Sequence, residues 1–176
     1  MGTKSDLTSV APFESESEYN AILERAVTLI EEARTTIAKS VSQTVNLTHW
    51  QIGKLLHEKK LESTHGSRVV RRLSIDLKQR YPKMGMSPRN LWYMKTFYER
   101  YSLCDPKVQR AVALLPWSYN ILLINKKLDD DSTLYYAEES VKKGWNRDLL
   151  LNAIKLKMHK KQLTTTRLVA GTGTWV

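Results

Sequence analysis

Arg89 and Asn90 follow Ser87 and Pro88 in the stretch Met86-Ser-Pro-Arg-Asn-Leu-Trp-Tyr-Met-Lys-Thr-Phe-Tyr-Glu-Arg-Tyr101. Arginine can bond guanine O6 and N7 together, and asparagine can do the same with adenine N6 and N7. Ser87 suits an N-cap and Pro88 the first helical position, so both side chains would project from the first turn of a helix. That turn is the part of a recognition helix that meets base edges in the major groove. Arg68, Arg71, Arg72, Lys83, Lys95 and Arg100 surround it in sequence and would meet phosphates, which gives affinity without sequence choice. At 100° per residue, Leu91, Met94, Phe97, Tyr98 and Tyr101 fill one arc of about 120° and account for packing. Arg89, Trp92, Tyr93, Thr96 and Arg100 gather on the other side. Exposed aromatics are informative where they meet a partner, so Trp92, Tyr93 and Thr96 are read as supporting or methyl contacts. A plainer reading stands beside this one: Trp92 and Tyr93 pack on a neighbouring helix, and Arg89 is a solvated first-turn residue.

Other chemistry finds little support in the spacing. His49 and His57 are eight apart, His65 falls in an expected turn and His159 near the end, with no metal-ligand pattern among them. Asp129 to Asp131 lack the alternating ligands and terminal Glu of a calcium loop and read as a turn and helix cap. Cys104 is the one cysteine, so an internal disulfide or a cysteine zinc site is excluded and a reducing cytoplasm is the simplest compartment. Gly171-Thr-Gly173 sits in an aperiodic tail and is no phosphate loop. No catalytic residue, metal or cofactor is expected.

The charge map agrees with a polyanionic partner. The 176 residues carry a net +10 with a pI near 9.7 and a mean hydropathy of −0.43. Residues 1 to 38 contribute −4, residues 39 to 101 contribute +9 and residues 102 to 176 contribute +5. Such a block serves a phosphate backbone, an anionic membrane surface or an acidic protein, or is a lysine-rich solvated surface. No apolar run is long enough to span a membrane, and Asp6 stands where a myristoylation motif wants Ser or Thr.

The elements that would position these residues are helical almost throughout, so the fold class is mainly α. Residues 1 to 16 read as a disordered leader, 17 to 160 as a helical domain and 161 to 176 as an irregular tail. From Ser17 the apolar positions Ile22, Ala26, Leu29, Ile30, Ala33 and Ile37 recur at three and four and continue through Val41, Val45, Trp50 and Leu55. One long helix and two helices broken near residues 42 to 47 both fit, because Ser, Thr and Asn there weaken helix propensity. Glu62 to Gly66 reads as a turn, Ser67 to Arg80 as a helix, and Pro82 to Gly85 as a break before the helix that starts after Ser87. Further helices are expected through Val108 and Val112, over Trp117 to Lys127, over Ser132 to Lys143 and from Asn146 to about Lys160. A basic helix, a short break and a capped helix match the outline of a helix-turn-helix, although Tyr81 to Met86 is longer than the tightest turns.

Trp50-Gln-Ile-Gly53, Leu73-Ser-Ile-Asp-Leu77, Ser87 to Tyr98, Leu115-Pro-Trp-Ser-Tyr119 and Gly144-Trp145 together resemble the N-terminal domain of the YhcG-type family. Its members are predicted bacterial nucleases of the PDDEXK superfamily, whose front domain is regarded as a winged-helix or helix-turn-helix DNA binder. The likeness spans about residues 20 to 158 and implies a DNA-binding role for the 67 to 101 unit, with a wing that the sequence does not locate. It also implies a C-terminal nuclease domain, which this sequence does not show. Such a nuclease needs a strand carboxylate and an acid-x-Lys on the next strand to hold a divalent metal and orient water. Glu58-Lys-Lys60, Asp76-Leu-Lys78 and Asp105-Pro-Lys107 match in letters, but none follows a strand that carries an acid.

The expectation is a non-catalytic module that binds double-stranded DNA, as a regulator of its own or beside a nuclease subunit in trans. A helical interaction or dimerisation module with an acidic protein partner is the alternative. Under either, homodimerisation through the N-terminal helix is expected, because a stripe through residues 22 to 55 exceeds what one small bundle covers.

Overall fold

The computed structural model describes residues 15–59 and 64–160, and the remaining leader, the segment 60 to 63 and the tail lie outside the described residues. It contains α1 (Glu16–Glu58), α2 (Thr64–Arg80), α3 (Pro88–Tyr101), α4 (Pro106–Ala113), α5 (Trp117–Lys126), α6 (Asp130–Lys143) and α7 (Arg147–Lys155). The protein is mainly α, and no strand occurs among the described residues, so the wing implied by the resemblance is not seen there.

The chain divides into one unit up to Ala38 and a second from Lys39 onward. In the first, the described residues are helical from Glu16 onward and every one of them is exposed. The second holds the core. One apolar cluster gathers Phe97, Tyr101, Val112, Leu115, Leu123, Tyr136 and Leu150 from α3 to α7. A smaller one joins Leu56, Val70, Met86, Leu91 and Met94, from α1, α2, the turn after it and α3.

Helix α1 is continuous over 43 residues, which decides between the two sequence readings. Thr44 and Thr48 donate their hydroxyls to the carbonyls of Ser40 and Thr44 at 3.0 Å, so the polar segment satisfies itself within the helix. Tertiary contacts then outweigh its weak propensity. Asn46, His49, Gly53 and Leu56 are the residues α1 buries, whereas Val45, Leu47 and Leu55 stay exposed. The apolar stripe read through Val45 and Leu55 is therefore not the packing face in this half. What the buried face needs is a donor and a close approach. Asn46 Nδ2 donates to the carbonyls of Ala113 at 2.9 Å and Leu115 at 2.8 Å, satisfying orphan groups where α4 ends. A Cβ built on Gly53 would stand 2.1 Å from the Met94 carbonyl oxygen, so glycine alone lets α1 and α3 touch backbone to backbone there.

Other boundaries shift by local causes. Helix α2 starts at Thr64, so Thr64 to Gly66 are helical and not part of a turn. Helix α6 starts at Asp130 because the Asp129 side chain accepts from the Ser132 amide at 2.7 Å. Helix α7 stops at Lys155, short of Lys160, with Lys157 in the left-handed region (φ 51°). Gly144 (φ 62°) ends α6 in the left-handed conformation that glycine adopts without strain.

Candidate nucleic-acid interface

Helices α2 and α3 pack on each other across the turn 81 to 87. Val70 from α2 is fully buried against Leu91 and Met94 of α3, and Met86 seals the turn side of the cluster. The buried Ser74 hydroxyl donates to the Met86 carbonyl at 2.7 Å, so the exit of the turn is tied to the middle of α2. Gly85 takes φ 65°, and the next residues follow the local logic of a helix start. Ser87 Oγ accepts from the Asn90 amide at 3.2 Å, and Pro88 occupies the first helical position.

The packing arc of α3 is the one its periodicity indicates, with Leu91, Met94, Phe97 and Tyr101 buried. Opposite, Arg89 and Thr96 are exposed, and Trp92 and Tyr93 are half-buried. Trp92 leans on the cluster of Val70 and Leu91, which assigns it packing as well as surface. Arg89 Nη2 donates to the Tyr93 hydroxyl at 3.3 Å, and its guanidinium lies 5.6 Å from the ring centroid. The Asn125 amide reaches the same hydroxyl from α5, with its nitrogen donating at 3.1 Å. Hydrogen bonding from Arg89, then from Asn125, holds the Tyr93 phenol below its ordinary pKa.

Three of the residues singled out from sequence are committed inside the protein. Asn90 Nδ2 donates to the Gly85 carbonyl at 2.8 Å, and Asn90 Oδ1 accepts from Trp117 Nε1 at 2.7 Å. Both ends of the carboxamide that a bidentate adenine contact requires are thus in use. Lys95 is 6% exposed and donates to Glu99 Oε1 at 2.6 Å, with Trp92 beside it at 5.9 Å. His57 Nδ1 lies 2.9 Å from the same Glu99 oxygen. Burial pushes Glu99 up, but bonds from Lys95 and His57 outweigh it and leave the carboxyl below its usual range. Arg100 donates to Asp130 Oδ1 at 2.7 Å, to the Leu128 carbonyl at 2.9 Å and to Cys104 Sγ at 3.0 Å. Lys95 and Arg100 therefore bind their own fold where phosphate contacts were expected.

The remaining cations stay in solvent. Arg68, Arg71 and Arg72 are exposed and fall within about 100° of one another on α2, opposite Val70. Among the described residues, Arg72 alone of the three faces a carboxylate, Asp76 at 4.0 Å, and its side chain remains 88% exposed. Lys83 is exposed in the turn.

Sequence reasoning did not place α5 beside this surface. Tyr93, Thr96 and Arg100 form one wall of a groove of about 470 Å³ whose other wall is Ile124, Asn125, Lys127 and Leu128. The Asn125-Lys-Lys127 run at the end of α5 carries polar and basic side chains to that rim, a signal visible in the letters but not in its position. Of the acid-x-Lys triplets, Asp76 is paired with Arg72 on α2, and Asp105 caps α4 by accepting from the Lys107 amide at 2.7 Å. Among the described residues no three His, Cys, Asp or Glu side chains converge to hold a metal.

The family model for the DUF1016 N-terminal domain matches residues 25–161. The chain belongs to this family. Among curated proteins it is similar to one from Escherichia coli (strain K12) named "Putative nuclease YhcG", with 33% identity over 177 residues. That match covers 82% of the chain and 47% of the relative, so the chain spans about half the length of the protein it resembles. No solved structure matches. The α2–turn–α3 unit, the capped start of α3 and the Asn46 and Gly53 contacts all lie within the stretch matched to the DUF1016 N-terminal domain. No described helix is long and apolar enough to cross a membrane.

Proposed function

We propose that α2 and α3 form a helix-turn-helix that binds double-stranded DNA, and that this chain serves as a DNA-binding module without catalysis of its own. The observation that carries this reading is the arginine cluster of α2. Arg68, Arg71 and Arg72 share one solvent-facing arc of a helix that is firmly packed on a capped partner, within the stretch that carries most of the positive charge. In this reading they and Lys83 contact phosphates. Arg89, in the first turn of α3, meets base edges, and Tyr93 and Thr96 line the rim beside it. Asn90 holds the turn and the Trp117 indole in place of reading a base, and Lys95 and Arg100 brace α3. A relative named as a nuclease supports a nucleic-acid partner, and a nuclease subunit acting in trans is consistent with the module.

The test is fluorescence anisotropy of a labelled mixed-sequence duplex at several salt concentrations. Each phosphate contact contributes about 0.9 to the slope of log K against log salt, so Arg71→Ala/Arg72→Ala should flatten it by about 2 and weaken binding to every duplex. Arg89→Ala should reduce discrimination between sequences while the slope falls by no more than about one phosphate contact. No binding at low salt overturns the reading.

A further inference from the structure

Helix α1 carries an apolar face from Ile22 to Ile37 that stays exposed among the described residues, and the charges along its edge say what covers it. Ile22 is 61% exposed, Ile30 58% and Ile37 63%, with Leu23 and Leu29 also in solvent. Set on a heptad that runs from Glu18 at position g, Ile22 and Leu29 take position d, Ala26 and Ala33 position a, and Leu23, Ile30 and Ile37 position e. The g positions are Glu18, Arg25, Glu32 and Lys39, alternating in sign every seven residues. Glu31 and Arg34, nearby, pair with each other within the helix at 3.0 Å. None of the four g residues is ion-paired among the described residues.

We propose that this face binds a second copy of the chain as an antiparallel coiled coil, with residue i opposite residue 55 − i. In an antiparallel pair, a positions pack against d positions and g flanks g. The register then sets Ile22 against Ala33 and Ala26 against Leu29 of the second copy, so each large side chain meets a small one. On the charged edge Glu18 meets Lys39 and Arg25 meets Glu32, each twice by symmetry. On the opposite edge Leu23 meets Ile30. The sequence of signs, negative, positive, negative, positive, complements itself only when one copy is reversed. A parallel pair would set Glu18, Arg25 and Glu32 against Leu23, Ile30 and Ile37, and alanine against alanine at positions a. Self-association of α1 makes no demand on the α2–α3 surface, and loss of DNA binding leaves it standing.

The full chain is examined by sedimentation equilibrium. A dimer is expected, lost in Leu29→Glu. Arg25→Glu sets two pairs of like charges face to face and should weaken dimerisation roughly tenfold, and adding Glu32→Arg to the same chain should restore it. Orientation is read in a Cys104→Ser background. Under oxidation, Ile22→Cys and Ala33→Cys chains should form the mixed disulfide, while Ile22→Cys should not join itself, because the two Ile22 positions lie about 16 Å apart along the axis. A monomer at all concentrations, indifference to Arg25→Glu, or self-linking of Ile22→Cys would each overturn the proposal.

Discussion

Asn90, expected from sequence to meet a base edge, has its carboxamide bonded within the fold. Its carboxamide bridges the Gly85 carbonyl and the Trp117 indole, tying the turn before α3 to the first residue of α5. Replacing it with alanine leaves both partners short of a bond, and Trp117 Nε1 lies in a partly buried setting. Asn90→Ala is expected to destabilise the fold by about 2 kcal/mol in urea titration. If it instead leaves stability untouched and changes sequence preference alone, the base-reading role belongs to it after all. Lys95 and Arg100 teach the same point for charge: a cation expected to meet phosphate can still find a carboxylate, Glu99 or Asp130, in its own fold.

At the scale of elements, α3 was legible almost completely. Its cap, its proline and its packing arc are set by residues within one or two turns of each other, and local steric and hydrogen-bonding rules decide those. The C-terminal half of α1 was not legible. There the buried face is Asn46, His49, Gly53 and Leu56, chosen by what α3 and α4 offer, and an apolar count points instead to Val45 and Leu55. Gly53 is the sharpest case, because a methyl group at that position would collide with the Met94 backbone, which no rotamer change relieves. Gly53→Ala is expected to cost about 3 kcal/mol in chemical denaturation despite the gain in helix propensity. A stabilised variant would mean that α1 and α3 do not approach so closely.

For the whole molecule, acid sensitivity follows from a buried imidazole. His49 is 6% exposed, packs edge-on against Trp117 at 4.3 Å between ring centroids, and has no bond partner at Nδ1 among the described residues. Burial lowers its pKa from 6.5 to about 4. Between those values the unfolded chain binds a proton that the folded chain refuses, so stability is full above pH 6.5 and falls as pH drops toward 4. Urea midpoints measured from pH 7 to 4 should show this decline, and His49→Gln should flatten it. The Glu99 carboxylate acts lower down: its pKa is depressed, so its contribution is present above about 4.5 and is lost only below that. Of the two groups, His49 alone accounts for a decline between pH 6.5 and 4.5.

The sequence by itself determined the helical class, the start and packing face of α3, the family resemblance and the concentration of positive charge in the middle of the chain. These depend on neighbours three to seven residues away, or on composition, and need no knowledge of the fold. Tertiary structure decided which polar side chains remain for a partner. Asn46 finds Leu115, Asn90 finds Trp117, and Arg100 finds Asp130, partners separated by 69, 27 and 30 positions. Buried or half-buried polar groups must be satisfied by whatever the fold brings to them, and that pairing is settled only when distant helices meet. The arginines of α2 met no such demand, and they stay in solvent.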